Sequence, residues 1–388
     1  MTYQISPVLV LILLFCLCSV FLVCGLFLAY LGDCEQLCIP LQSLTIRTLG
    51  DPNASKGVKP GEEKMPFWAV GDEPNVFYLG AADPCKADPN GFRFQLKFNT
   101  YGAAIEKVTF CLGSDKGSSD PNVKNPQPFV LLSPVKGPAG SGIMTMANTS
   151  LVVIPQKTEL ALDQLSWKRI GIDKSDAKKQ SISFEALIIY EGSTIIRLVK
   201  TYSVSAESGI IDCSITIENV SSNKQLFYFN LNGPVGIVRQ EARTDERKVI
   251  GAFTDSLKNI KTVVLGIDKL SKAKTVDEAR LNSGSDVFLW SAIVNKNFAA
   301  VIVPLPDGSD PYCRWIRDRV ATYYNPDGKA DSGDQTIGVR LRTVPFVLDR
   351  KKKITYMFQL YLGPKDKQLF EKDKRFRELG FDKGLLPM

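Results

Sequence analysis

The sequence contains no histidine among its 388 residues. Histidine supplies the base of Ser-His-Asp triads and Cys-His pairs, ligates most catalytic zinc, and is the commonest general acid–base. Its absence excludes all of these sites. Carboxylates, lysine or tyrosine would have to carry any catalysis. We therefore predict a protein that is not an enzyme and has no cofactor.

Charge is also missing at the start of the chain, where residues 1–32 have no Lys, Arg, Asp or Glu. Val8 to Leu31 form 24 mostly apolar residues, which is long enough to span a bilayer. A cleaved signal peptide would instead need a basic start, a shorter apolar core and a small-residue cleavage site. The pattern favours an uncleaved transmembrane anchor over 1–32, and no second apolar run follows it.

The nine cysteines show no regular spacing. Cys85, Cys111, Cys213 and Cys313 are scattered, which predicts no disulfide framework. For Cys34–Cys38, just outside the anchor, two interpretations are open: a small disulfide-closed loop or two unrelated thiols.

Residues 33–75 are polar and rich in Pro and Gly, which predicts a tether.

Beyond the anchor the chain carries a net charge of +7, of which the residues from Arg350 onward supply +6. These basic residues form either a solvated surface or a membrane-proximal tail near anionic lipid head groups. No nucleic-acid pattern is present. The tail is 365–388, and its candidate lipid-facing residues are Lys365, Lys367, Lys372, Lys374, Arg375 and Arg377.

Between residues 76 and 364 the sequence alternates short apolar runs with turn signals, which predicts a mainly β fold, a large twisted sandwich. Gly91 to Phe110 is the clearest hairpin, with Gly102 at its corner and a second strand over Ala104–Phe110. Phe92, Phe94, Leu96 and Phe98 alternate with polar residues, which predicts that this face of the first strand lies in the core. Two helices are predicted: Lys365–Leu379, in which Leu369, Phe376 and Leu379 share one apolar face, and, more weakly, Thr275–Leu281. The other predicted strands are Phe129–Leu132, Ile182–Tyr190, Ile195–Val204, Ile210–Glu218, Leu226–Leu231, Val287–Val294, Ala299–Val303, Ile337–Leu341 and Lys353–Leu362.

Few residues point to a ligand. The glycine-rich stretch 137–142 lacks the P-loop Lys-Ser/Thr, and the loop aspartates lack EF-hand spacing, so we predict no metal site. Tryptophans line sugar grooves in some sandwiches, but more often they lie in the core or on its rim. A candidate cleft or partner surface comprises Trp290, Trp315, Tyr312 and Arg314.

The order of several segments resembles a known family. The segments are FRFQLKFNTYGAAIEKVTF, PFVLLSP, LVKTYSVSAESGIIDCSITIENVSSN, FLWSAIVNKNFAAVIVP and FQLYLGPKDKQLFEK. Following an apolar span and a tether, they are similar to the periplasmic domain of YidC-type membrane protein insertases, the YidC/Oxa1/Alb3 group. The stretches around Trp290 to Phe298 and Leu360 to Lys365 carry most of the resemblance.

The resemblance implies a galactose-mutarotase-like supersandwich in the periplasm, held by one transmembrane helix in the bacterial inner membrane. It implies that the protein assists membrane-protein insertion by binding Sec translocon components and nascent membrane proteins. The family's five-span insertase core has no counterpart here, so we expect no insertion by this chain alone and a separate membrane core as a further partner. The alternative is a carbohydrate-binding sandwich domain without catalysis.

Overall fold

The computed structural model describes residues 46–47, 67–112, 127–137, 142–206, 208–240, 244–271, 278–284, 286–308, 310–326, 328 and 334–386. The predicted anchor, Cys34 and Cys38, and most of the predicted tether lie outside these residues. None of the helices in the described ranges combines the length and the apolar character needed to cross a membrane.

The described chain is mainly β, as predicted. The first strands are β1 (Ile46–Arg47), β2 (Phe67–Val70), β3 (Val76–Gly80), β4 (Phe94–Asn99), β5 (Ala104–Leu112), β6 (Gln127–Leu132), β7 (Val135–Lys136), β8 (Gly142–Ile143), β9 (Asn148–Val153), β10 (Thr158–Ala161), β11 (Lys168–Asp176) and β12 (Lys179–Tyr190). The later strands are β13 (Ser193–Ser205), β14 (Ile210–Asn219), β15 (Gln225–Val235), β16 (Lys248–Thr254), β17 (Ile260–Gly266), β18 (Glu278–Arg280), β19 (Val287–Val294), β20 (Phe298–Pro304), β21 (Ile316–Tyr324), β22 (Thr336–Thr343), β23 (Phe346–Leu348) and β24 (Lys353–Pro364).

Two large sheets contain most of these strands. The ten-stranded sheet has the order β11-β12-β13-β14-β24-β20-β19-β16-β17, and β2 also pairs with β12. The eight-stranded sheet has the order β1-β10-β9-β15-β22-β21-β18, and β23 also pairs with β15. Inward residues of both sheets, such as Ile215, Phe358, Phe229 and Leu341, belong to one apolar core. This is the predicted sandwich.

The predicted hairpin belongs to a smaller sheet of order β3-β4-β5-β6. Phe94, Leu96 and Phe98 are buried, whereas the residues between them are half-buried, so β4 directs one face to the core as its period of two predicted. Gly102 adopts φ +62°, and a Cβ there would lie 3.1 Å from that of Ala147. Glycine fits this corner because it has no side chain.

The described residues also form four short helices: α1 (Ile267–Ser271), α2 (Lys367–Lys372), α3 (Lys374–Glu378) and α4 (Phe381–Gly384). The predicted Lys365–Leu379 helix is interrupted at Asp373, which ends α2 and caps α3 by accepting the N–H groups of Arg375 and Phe376. The predicted apolar face is confirmed in part: Phe376 is buried and Leu379 is half-buried. Leu369 is exposed, and Phe370 is buried instead.

Helices α2 to α4 form a helical layer that covers the outer face of the ten-stranded sheet near β16, β19, β20 and β24. Phe370, Phe376 and Phe381 form a second apolar cluster there with Trp290 and Tyr361. The sheet separates this cluster from the main core. The C-terminal segment is therefore a packed layer of the domain, and its buried side is aromatic.

Three further predictions were wrong. The tether was placed as far as residue 75, but β2 pairs with β12 and buries Phe67 and Ala69. The weak helix at Thr275–Leu281 contains strand β18, which pairs with β21. Cys85 and Cys111 form a disulfide, which their scattered positions concealed because 26 residues separate them.

Candidate interaction site

The two tryptophans of the predicted cleft are buried and so do not line an open surface. Trp290 on β19 is fully buried, and its Nε1 donates to the Leu379 carbonyl at 2.7 Å. Its ring lies 5.3 Å from that of Phe381. Trp315 is also buried, and its Nε1 donates to the Leu305 carbonyl at 3.0 Å. Both tryptophans make intramolecular contacts within the domain.

Tyr312 and Arg314, by contrast, line the same open pocket of about 590 Å³. The volume is within the range of ordinary ligand pockets. The structure therefore brings together two of the four predicted cleft residues and separates them from the two tryptophans. The other lining residues come from the β16–β17 turn and the start of β19: Thr254, Asp255, Ser256, Leu257, Lys258, Lys261, Asp286 and Val287.

Ion pairs order the polar part of this pocket. The Lys261 ammonium lies 3.2 Å from Asp286 Oδ2 and 3.5 Å from Asp255 Oδ2. The hydrogen bond to Asp286 raises the pKa of Lys261, and the Asn259 backbone N–H lowers the pKa of Asp255. Arg314 pairs with Asp310 and lowers the pKa of that carboxyl. Each of these charged groups already has a partner of opposite charge.

The rim of the pocket is apolar at one point. Leu257 at the β16–β17 turn is 79% exposed, the highest value among the exposed large hydrophobic residues described. Asp255 fixes the turn, because its Oδ1 accepts the N–H groups of Leu257 and Asn259, each at 2.9 Å. A fixed, exposed leucine beside paired charges suits contact with polypeptide. Sequence reasoning missed Leu257, although an apolar residue in a turn was the available signal.

The predicted basic tail residues lie on the helical layer. Lys367, Lys372, Lys374 and Arg377 are exposed. Lys365 and Arg375 are half-buried, and burial lowers the pKa of Lys365, with a further contribution from the charge of Lys248. The layer approaches the pocket at its far end, where a Cβ on Gly380 would lie 2.5 Å from Ile260, the neighbour of Lys261.

A buried lysine was not predicted. Lys200 on β13 is fully buried, its Nζ donates to the Met146 carbonyl and to Asn148 Oδ1, and burial lowers its pKa to about 8. Met146 has φ +61°, so the ammonium holds a loop of the opposite sheet in a left-handed conformation. The available signal was a lysine at an inward position of β13, between Leu198 and Tyr202.

The described residues contain no cluster of acidic or cysteine side chains able to hold a metal ion. With no histidine in the chain, the pocket has no general base of the usual kind.

Comparison with known proteins gives a family and several similar structures. The GalM/aldose epimerase homologue from C. elegans is 9% identical with a TM-score of 0.41, covering 75% of this chain and 99% of that chain. A galactose mutarotase related enzyme from Lactobacillus acidophilus is 8% identical with a TM-score of 0.42, covering 74% of this chain and 97% of that chain. No curated protein matches. Residues 93–383 match the family described as YidC periplasmic domain, and because this range is most of the chain, the protein belongs to that family.

Proposed function

We propose that this protein is the periplasmic part of a YidC-like machinery and assists insertion and folding of inner-membrane proteins by binding them or their translocon partners. The observation that carries the proposal is the family match over residues 93–383. The pocket at Leu257, Tyr312 and Arg314 is the contact surface that the geometry supports best.

The Cys85–Cys111 disulfide supports a periplasmic location, because disulfides persist in oxidising compartments. We place the chain at the bacterial inner membrane, anchored by residues 1–32. The exposed basic residues of the helical layer, Lys367, Lys372, Lys374 and Arg377, would then contact anionic lipid head groups.

Binding without catalysis is the proposed mode of action. Four charged side chains of the pocket, Asp255, Lys261, Asp286 and Arg314, are already engaged in ion pairs, an arrangement that supports binding. We therefore propose that the periplasmic domain acts by binding, and that residues 1–388 alone do not insert a model substrate into vesicles.

Photo-crosslinking in living cells tests the proposal. A crosslinking amino acid at Leu257 or Tyr312 should capture translocon subunits or nascent membrane proteins. The same amino acid at Val347, which is 60% exposed on β23, serves as the control. Equal capture from all three positions, or none from any, would contradict the proposal.

The alternative function, carbohydrate binding, has one supporting feature: a half-buried Trp68 on β2. Trp167, Trp290 and Trp315 are buried and offer no stacking face. Glycan-array binding that is lost in Trp68→Ala would favour this alternative.

A further inference from the structure

Strand β17 is an open edge of the ten-stranded sheet. Among the described residues it pairs with β16 alone, in an unbroken register from Lys248↔Gly266 to Thr254↔Ile260. An unpaired edge presents backbone N–H and C=O groups that accept another strand. The directions of these groups follow from hydrogen bonds at both ends of the pair.

At one end the Ile267 N–H donates to the Arg247 carbonyl at 3.1 Å, and at the other the Asp255 N–H donates to the Asn259 carbonyl at 3.1 Å. Hydrogen-bonded pairs alternate with non-bonded pairs in an antiparallel ladder. Lys261, Val263 and Leu265 therefore bond inward to β16. The residues whose backbone groups point to the open side are Ile260, Thr262, Val264 and Gly266, none of which has a described backbone partner there.

The side chains around this edge are apolar on both faces of the sheet. Val263 and Leu265 pack against the main core, whereas Val264 packs against the aromatic cluster under the helical layer. A strand added to β17 would thus have apolar surroundings on both faces, as a central strand of a covered sheet does. Such strands are continuous apolar runs.

The charges at this edge also favour an apolar added strand. Lys261 is the single charged residue of β17, and Asp255 and Asp286 already neutralise it. A charged guest would gain no new ion pair at the edge and would lose hydration. The edge is therefore complementary to a neutral, apolar, extended segment.

We propose that β17 binds an extended apolar polypeptide segment as an added strand. The backbone ladder selects extended conformation, and the apolar surroundings select hydrophobic side chains at successive positions. The inference rests on the proposed function in one respect, since a membrane-protein client supplies such segments before they insert.

The test uses the full chain in lipid nanodiscs and a fluorescent peptide of about nine residues with a Leu/Val core and terminal lysines. We expect Thr262→Pro to weaken peptide binding about tenfold, because it removes an outward N–H without removing a bond to β16. Ile170→Pro on the other edge is the matched control, since Ile170 has no partner in the β11–β12 register. A peptide with the same side chains and an N-methylated backbone should bind the unsubstituted protein as weakly as the original peptide binds Thr262→Pro.

Hydrogen exchange gives a readout that needs no variant. Bound peptide should slow exchange of the Thr262 and Val264 amides and leave those of Val263 and Leu265 unchanged, because the latter are already bonded to β16. Unchanged exchange at Thr262 and Val264, or equal affinity for the N-methylated peptide, would overturn the inference. Dimerisation of the peptide-free chain that Thr262→Pro abolishes would overturn it as well, by identifying a second copy as the occupant.

These outcomes are separable from the proposed function. If crosslinks from Leu257 and Tyr312 to clients persist while the peptide fails to bind β17, the edge inference alone is wrong. If the peptide binds β17 but no client or translocon subunit is captured, the proposed function is wrong.

Discussion

The two edges of the ten-stranded sheet differ in almost every respect. All nine residues of β11 are exposed, its pairing with β12 has two register shifts, and it carries Lys168, Arg169 and Lys174. By contrast, β17 is half-buried except at Lys261, regular along its length, and apolar apart from Lys261 and Thr262. Charged side chains and bulges are the devices by which proteins prevent edge strands from pairing. One edge is protected, and the other has the features of a binding site.

Different neighbours support the two edges. The helical layer packs beside β17, and Trp290 fixes that layer through its bond to Leu379. Near β11, the small sheet supplies Phe77, whose ring lies 4.8 Å from the Arg169 guanidinium and 6.2 Å from the Phe184 ring. The edges can therefore be perturbed separately.

The largest expected effect is that of Trp290→Ala on the β17 side. The substitution leaves a cavity under α4 and removes the bond to Leu379, so we expect a loss of about 3–5 kcal/mol in the free energy of unfolding. Urea unfolding measures the loss. Hydrogen exchange should show β17 amides opening before those of β12. Equal acceleration of exchange in both strands would contradict the view that different neighbours stabilise the two edges.

Removing the disulfide should weaken the β11 side instead. Cys85 and Cys111 are 26 residues apart, and for a loop of that length the double variant Cys85→Ser/Cys111→Ser should lose about 3 kcal/mol. Thermal unfolding with and without reductant measures it. The β17 amides should keep their protection, and their earlier opening would show that the small sheet supports both edges.

Lys200, the buried lysine of β13, lies between the two edges of the sheet. Its ionisation should therefore affect the stability of both edges alike. Its pKa is about 8 in the folded protein and 10.5 when exposed, so above pH 8 the unfolded chain binds more protons. Lys200 should therefore raise the free energy of unfolding by about 1 kcal/mol between pH 8 and 9. The two buried thiols oppose this gain from about pH 8 upward. Burial raises the pKa of Cys213 and Cys313 from 9.0 to about 12, so these thiols ionise first in the unfolded chain.

Lys200→Met should remove this rise, and urea unfolding at pH 7, 8 and 9 compares the two proteins. Tyr202 and Cys213 face Lys200 from the sheet, and burial raises the pKa of both, so neither ionises in this window. A rise that persists in Lys200→Met would assign it to another group.

The smallest effect on stability should follow loss of the charges on β11. Because these side chains are exposed, Lys168→Thr/Lys174→Thr should change the free energy of unfolding by less than about 0.5 kcal/mol. We nevertheless expect concentration-dependent association, measured by light scattering. Lys352→Thr/Lys353→Thr removes the same charge from exposed positions away from the edge and should remain unassociated.

The sequence by itself determined the strands and the fold class, because a two-residue alternation is a local property. Val287–Val294 was predicted with its observed bounds, and the hairpin at Gly102 has the predicted buried face. The absence of histidine likewise excluded its chemistry directly. Tyr312 and Arg314, two of the four residues predicted for a cleft or partner surface, line one pocket, and the binding of a partner there stays a prediction.

Tertiary structure alone decided which strands became edges and which aromatic residues were buried. Neither Lys168–Asp176 nor Ile260–Gly266 was among the predicted strands, since an edge is defined by a missing neighbour and not by its own residues. Trp290 and Trp315 are buried by chain segments distant in sequence. The same holds for the Cys85–Cys111 bond and for Lys200, whose partners lie on other strands and loops. Such pairings depend on which chain segments meet in space, and no local pattern records them.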